Sequence, residues 1–190
     1  MNISTINDAL FIGNIVENPA PYRGNKPVLY RHKLKVQYNK NLASRLESKH
    51  LSIVYFICVD DIVYKIGQTS GKNGIKGCLN FYCCAGQDDP GHNRFTINAL
   101  IREHINDGRK VSVYMKFLEP IRTQAMGINK AHQGLVPASA KWLEEIHLED
   151  YREIVGANPP WNYQESNTPV PARINEQFAH YRQMRAAART

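Results

Sequence analysis

Two short β-rich runs, Ile53–Val59 and Ile62–Ile66, are separated only by Asp60-Asp61. β-Branched and aromatic residues bounded by turn formers read as a hairpin, and a tight hairpin dictates which side chains share a face. Tyr55 and Lys65 lie within it, and a hydrocarbon core has no need of either polar group. A Gly- and Lys-rich loop from Gly67 to Gly74 follows and leads into a short helix.

Two registers are open. If Asp60-Asp61 alone form the loop, Tyr55 faces Ile66 and shares a side with Tyr64. If Val59 joins a three-residue loop, Tyr55 sits opposite Lys65 on one face with Ile57 and Val63. The other face is then a continuous apolar surface of Val54, Phe56, Cys58, Ile62, Tyr64 and Ile66. The second register is favoured, because a one-residue slip would drive the charge of Lys65 into that surface.

Ile53-Val54-Tyr55 followed by Lys65-Ile66-Gly67 resembles the paired motifs of the GIY-YIG nuclease superfamily. The Lys-Ile-Gly form is similar to the branch holding small type II restriction enzymes, where lysine replaces the second tyrosine. Further along, Phe81-Tyr82-Cys83-Cys84 resembles that branch's helix ending in tyrosine. Ala140-Lys141-Trp142-Leu143-Glu144-Glu145 resembles the helix carrying a metal-binding glutamate, and Pro160-Trp161-Asn162-Tyr163-Gln164 its closing Pro-x-Asn-x-Gln run. The resemblance spans about residues 52–165, with its motifs in the family's order.

With 190 residues and 43% hydrophobic content, the chain reads as one domain with added arms. The expected division is a basic N-terminal arm over 1–50, a nuclease-like core over 51–165 and a helical C-terminal arm over 166–190. No apolar run approaches the ~18–20 residues that span a bilayer, and MNISTINDALF is unlike a signal peptide. Cys58, Cys78, Cys83 and Cys84 form no C-x-x-C pair, which favours a reduced, cytoplasmic setting over disulfides or zinc. Net charge is +7. Residues 21–50 hold Arg23, Lys26, Arg31, Lys33, Lys35, Lys40, Arg45 and Lys49 against the single acid Glu47. Such clustering suits a polyanion as well as a solvated surface.

Periodicity predicts a strand within Val28–Tyr38, a short helix over Asn41–His50, helices over Ile75–Cys84 and Arg94–Asp107, and a strand over Val111–Phe117. Leu118–Pro137 lacks periodicity and reads as an extended loop. Ser139–Gly156 is the clearest helix, with a serine N-cap, a glycine stop and Glu144 heading a stripe of Leu148, Tyr151 and Val155. A last helix is expected over Arg173–Arg189. The order agrees with the α+β fold that the resemblance implies: a three-stranded antiparallel sheet flanked by helices, here with basic arms.

The resemblance implies a Mg²⁺-dependent (or Mn²⁺-dependent), sequence-specific endonuclease acting on double-stranded DNA as a homodimer. Tyr55 would help deprotonate the attacking water, with Lys65 favouring its phenolate or contacting phosphate. Glu144 would hold the metal, Tyr82 would hydrogen-bond phosphate or water, and Asn162 would lie near the site. Each has a plainer reading: a strand aromatic, an exposed lysine, a helix N-terminal acid, a packed tyrosine and a turn asparagine. His147 reads as structural. The arms, notably 21–50 and 118–137, would read bases.

One position departs from the family. An arginine is expected four residues before the helix tyrosine, and Cys78 stands there. Lys76 lies ~200° round the helix from Cys78, whereas Arg94 opens the next helix. Three readings follow: a relocated cation with Arg94 as first choice, weakened activity, or a DNA-binding protein without cleavage. A fourth class, unrelated to nucleic acid, would make the charge incidental.

Overall fold

The structure, a computed structural model, describes residues 1–18, 34–42, 52–70, 74–83, 90–136 and 138–187. Arg23, Lys26, Arg31, Lys33, Arg45, Lys49 and Cys84 lie outside them, as does most of the helix expected over 41–50.

The described chain is α+β, built on a five-stranded antiparallel sheet rather than the three-stranded one expected. Its strands are β1 (Leu10–Glu17), β2 (Leu34–Tyr38), β3 (Ser52–Val59), β4 (Ile62–Thr69) and β5 (Val111–Leu118), in the spatial order β2-β1-β5-β3-β4. The expected trio β4-β3-β5 is present at one side. Residues assigned to the N-terminal arm supply the other two strands, with Ile15 opposite both Val111 and Val36. Ile12, Ile15 and Leu34 are thereby sunk into the core.

β3 lies between β4 and β5 and is buried at every position, which is why its apolar run is continuous rather than alternating. One sheet face is covered by α1 (Gly74–Cys83), α2 (His92–Asn106) and α5 (Ala172–Ala187), through Ile75, Leu79, Phe95, Ile101, Ile174 and Tyr181. The opposite face is covered by α3 (Ala140–Val155), which packs Leu148 and Tyr151 onto Val54, Phe56, Val63 and Ile66. Ser139 caps α3 by accepting the Trp142 N–H at 3.1 Å, and Gly156 ends it at φ 77°. The stripe below Glu144 is buried at Leu148 and Tyr151 and runs into solvent at Val155.

The hairpin adopts neither predicted register. Asp60 and Asp61 alone form the turn, at φ 47° and 64°, both in the left-handed region that aspartate tolerates. The Asp60 carboxylate accepts the Lys110 N–H at 2.9 Å and the Arg109 Nε–H at 2.7 Å, contacts from a distant segment that hold the tight turn. A bulge at Tyr64 then shifts the pairing by one, so Ile57 faces Lys65 and Tyr55 faces Gly67. Val54, Phe56, Cys58 and Ile66 still share the apolar face, with Val63 in place of Ile62 and Tyr64.

β4 is an edge strand and is covered from Ile62 to Ile66. The Val63 N–H donates to Met1 O at 2.9 Å, and the Trp161 N–H donates to Tyr64 O at 2.8 Å. The latter contact belongs to the segment that leaves α3, passes the sheet edge and continues through α4 (Tyr163–Ser166) to α5.

Residues 118–137, expected as a loop, instead carry β6 (Ile121–Met126) and β7 (Ala131–Val136), a separate two-stranded ribbon exposed at every position. With neither face buried, its sequence has no apolar alternation to report it. No helix among the described residues is long and apolar enough to cross a membrane.

Candidate active site

Midway along β3 and β4, Tyr55 and Lys65 lie on the sheet face that α1 covers. Tyr55 is buried, and its ring lies across Gly67 on the neighbouring strand. A Cβ at Gly67 would overlap Tyr55 Oη and Cζ and stand 2.9 Å from Cε2, so this close approach requires glycine. The Tyr55 hydroxyl meets the Tyr82 hydroxyl at 2.8 Å, with the two rings edge to face at 6.3 Å. Tyr82 stands in the last turn of α1, where its carbonyl accepts the Asn98 Nδ2–H from α2 at 2.5 Å. Asn98 is buried, so α2 fixes where α1 ends and where Tyr82 points.

Burial governs the charges here. It pushes the Tyr55 phenol well above the ordinary tyrosine value, and the neighbouring Tyr82 and Cys78 add to that. Tyr82 is pushed up to about 12, again chiefly by burial. Both are therefore phenols at neutral pH. Burial works against the phenolate expected at Tyr55, and no cation pulls its pKa down. Lys65 is only 5% exposed. Burial lowers its pKa, while the fields of Glu165 and Glu144 act in the opposite direction. Glu144 is half-buried, and burial together with Glu165 raises its carboxyl above the usual range despite Lys65.

Four of the predicted residues, Tyr55, Lys65, Tyr82 and Glu144, thus belong to one electrostatically coupled cluster. Cys78 belongs to it as well. Burial raises its thiol, and Tyr55, Lys65 and Arg94 pull it back. Arg94 borders the cluster from the first turn of α2, stacking its guanidinium 4.0 Å over the exposed Phe81 ring. Lys76 turns elsewhere, with its ammonium 5.7 Å from the Tyr38 ring on β2.

Asn162 occupies a supporting place. It is fully buried, accepting the Ile66 N–H at 2.9 Å and donating to Ile66 O at 2.8 Å. Its amide is spent on the outer edge of β4, next to Lys65, and acts as a clamp on the strand. His147 packs edge-on against Phe56 at 5.3 Å, and burial lowers its pKa.

Glu165 was missed. It is an exposed residue of α4 whose field reaches Lys65, Glu144 and Tyr82. The only sequence signal was its place immediately after the Pro160–Gln164 run. Among the described residues no group of three or more His, Cys, Asp and Glu could hold a metal ion. What the cluster offers a cation is the half-buried Glu144 carboxylate, with Glu165 nearby.

No family model matches the chain, and no curated protein sequence matches it. Among solved structures it is similar to a mutant of bacteriophage T4 EndoII, at 14% identity and a TM-score of 0.46, covering 85% of this chain and 98% of that one. It is also similar to the restriction endonuclease HPY188I in complex with product DNA, at 16% identity and a TM-score of 0.43, covering 80% and 78%.

Proposed function

We propose that this protein is a divalent-metal-dependent endonuclease of the GIY-YIG type that hydrolyses double-stranded DNA at a specific sequence, as small type II restriction enzymes do. One observation carries the reading: the Tyr55–Tyr82 hydroxyl pair, the buried Lys65 and the half-buried Glu144 form one cluster. Packing alone asks for none of these polar groups there. Phosphodiester hydrolysis asks for all of them: a water activator, a cation for the developing charge and a carboxylate for metal.

The donor set suits Mg²⁺ or Mn²⁺, which accept one carboxylate and complete their shell with water and substrate oxygens. Glu144 is the ligand. Its half-buried carboxylate lies in the fields of Lys65 and Glu165 and is the acid of this cluster on a helix facing the sheet. A bound divalent ion supplies Lewis acidity at the scissile phosphate. Tyr55 and Tyr82 share a hydrogen bond and position the attacking water, whose proton Tyr55 would accept. Lys65 faces the phosphate, and Arg94 contributes the fork that Cys78 cannot. Asn162 holds β4 so that Lys65 stays in place. Two strands of one site require two such centres, which a homodimer supplies.

A second reading, a DNA-binding protein with weakened cleavage, is favoured by Cys78 at the heart of the cluster. Supercoiled plasmid incubated with Mg²⁺ separates them. Nicking or linearisation that chelator and Glu144→Ala both abolish, with DNA binding retained, supports the nuclease. Salt-sensitive binding without cutting, and cutting gained by Cys78→Arg, supports the second reading.

A further inference from the structure

The β6–β7 ribbon leaves the end of β5 and returns into α3, five residues before Glu144 at its Ser139 cap. Its base is tied to the sheet where the Ser52 hydroxyl donates to Ala138 O, and Ser52 itself pairs with Leu118. It is therefore rooted beside the active site, three residues along β3 from Tyr55. Both strands are exposed at every position, and a two-stranded hairpin alone is marginal in water. Such an element needs a partner.

We infer that this ribbon enters the major groove of duplex DNA and reads the bases of the site that the cluster cuts. The inference rests on the nuclease reading and deepens it. Six residues per strand extend the ribbon ~20 Å, and the ~12 Å major groove admits a two-stranded β-ribbon. Charge agrees. From Pro120 to Leu143 there are Arg122, Lys130 and Lys141 with His132, and no acid. The register places Gln124 directly opposite Gln133 and Arg122 opposite Leu135, all on one face. Arginine and glutamine are the side chains whose paired donors and acceptors match the major-groove edges of guanine and adenine, and an apolar neighbour suits a thymine methyl. The other face, with Ile121, Thr123, Ala125, His132, Gly134 and Val136, carries no such set.

The test uses the full chain with Ca²⁺ in place of Mg²⁺, selecting bound duplexes from a random-sequence library and sequencing them. Wild type should enrich a defined motif. Arg122→Ala and the pair Gln124→Ala with Gln133→Ala should lose definition at one or more base pairs. Preference for the motif over random duplex should fall about tenfold or more, while affinity for random duplex changes less than about threefold. An unchanged motif and ratio in both variants, with wild type selective, overturns the ribbon's role and leaves the nuclease standing. So does a motif that survives Met126→Lys with Ile128→Lys while sedimentation shows a dimer becoming monomer, which makes the ribbon a contact between copies. A wild type that neither binds nor cuts duplex DNA overturns both.

Discussion

Replacing Gly67 with alanine isolates the close approach on which the tyrosine pair depends. Gly67 has no left-handed backbone angle to protect, so on conformational grounds alanine would stabilise the chain by about 0.4–1 kcal/mol. The structure reverses that sign. The new Cβ overlaps the Tyr55 ring, which must leave a buried slot and give up its 2.8 Å contact with Tyr82. Overpacking of this kind costs about 1–3 kcal/mol, and a broken buried hydrogen bond about 1–3 more. The expected loss is therefore about 3 kcal/mol, which lowers Tm by roughly 6–12 °C for a domain of this size. Urea unfolding should report it alone and in a cycle with Tyr55→Ala, where the added methyl has room. In that background Gly67→Ala should be neutral or stabilising, giving a coupling above about 2 kcal/mol. A Gly67→Ala protein as stable as wild type, with coupling below about 0.5 kcal/mol, refutes the steric argument.

Other substitutions test the charges and the clamp. Lys65→Met should abolish cleavage yet raise the urea midpoint at pH 7. A lysine whose folded pKa is depressed contributes full stability only above its unfolded value, so the variant's advantage should shrink as pH rises. Glu144→Gln should likewise stabilise at pH 7, since a raised carboxyl favours the fold only below its unfolded value and loses that as pH rises. It should also cut cleavage at least ~10²-fold, and wild-type cleavage should decline as pH falls through that raised carboxyl. Asn162→Ala strands the Ile66 N–H and C=O in the interior, and chemical denaturation should show a loss of about 2–5 kcal/mol. Arg94→Ala should slow single-turnover cleavage about 10²-fold while Lys76→Ala, aimed at Tyr38, costs little and Cys78→Arg preserves or raises the rate.

What could be read in advance divides by the range of the forces involved. The helix at 139–156 carried its own spacing and caps, those at 75–84 and 94–107 weaker local signals, and all three appear within a few residues of those bounds. Tyr55 and Lys65 do share a face as expected, but not because burying a charge penalises the other: both faces are covered, Lys65 is buried, and the bulge at Tyr64 sets the side it takes. Their pairing was not legible, because the tight turn is held by Arg109 and Lys110 from almost fifty residues away and Tyr64 then bulges. The joining of β1 and β2 to the sheet left little local trace, since strand partners are chosen by distant surfaces. The ribbon had no apolar alternation to announce it, and Glu165 gains its meaning only when α4 brings it towards Lys65. Asn162 was singled out as a residue near the chemistry, yet its two bonds to Ile66 are invisible until the crossing segment lies along β4.

The bulge at Tyr64 makes parity, not distance, the quantity the hairpin must conserve. In an antiparallel pair the numbers of facing residues add to a constant, and two residues share a face when their own sum has the same parity as that constant. Below the bulge the constant is odd, as Val59 and Ile62 show; above it the constant is even, as Ile57 and Lys65 show. Tyr55 and Lys65 sum to an even number, so with Tyr64 paired in the ladder instead of bulged they would stand on opposite sides of the sheet. A turn one residue longer, with no bulge, restores even parity by another route. Recruiting a strand residue into the turn and bulging Tyr64 are thus alternative routes to one face, whereas an insertion between Asp60 and Asp61 leaves Val59 opposite Ile62 and still needs the bulge at Tyr64.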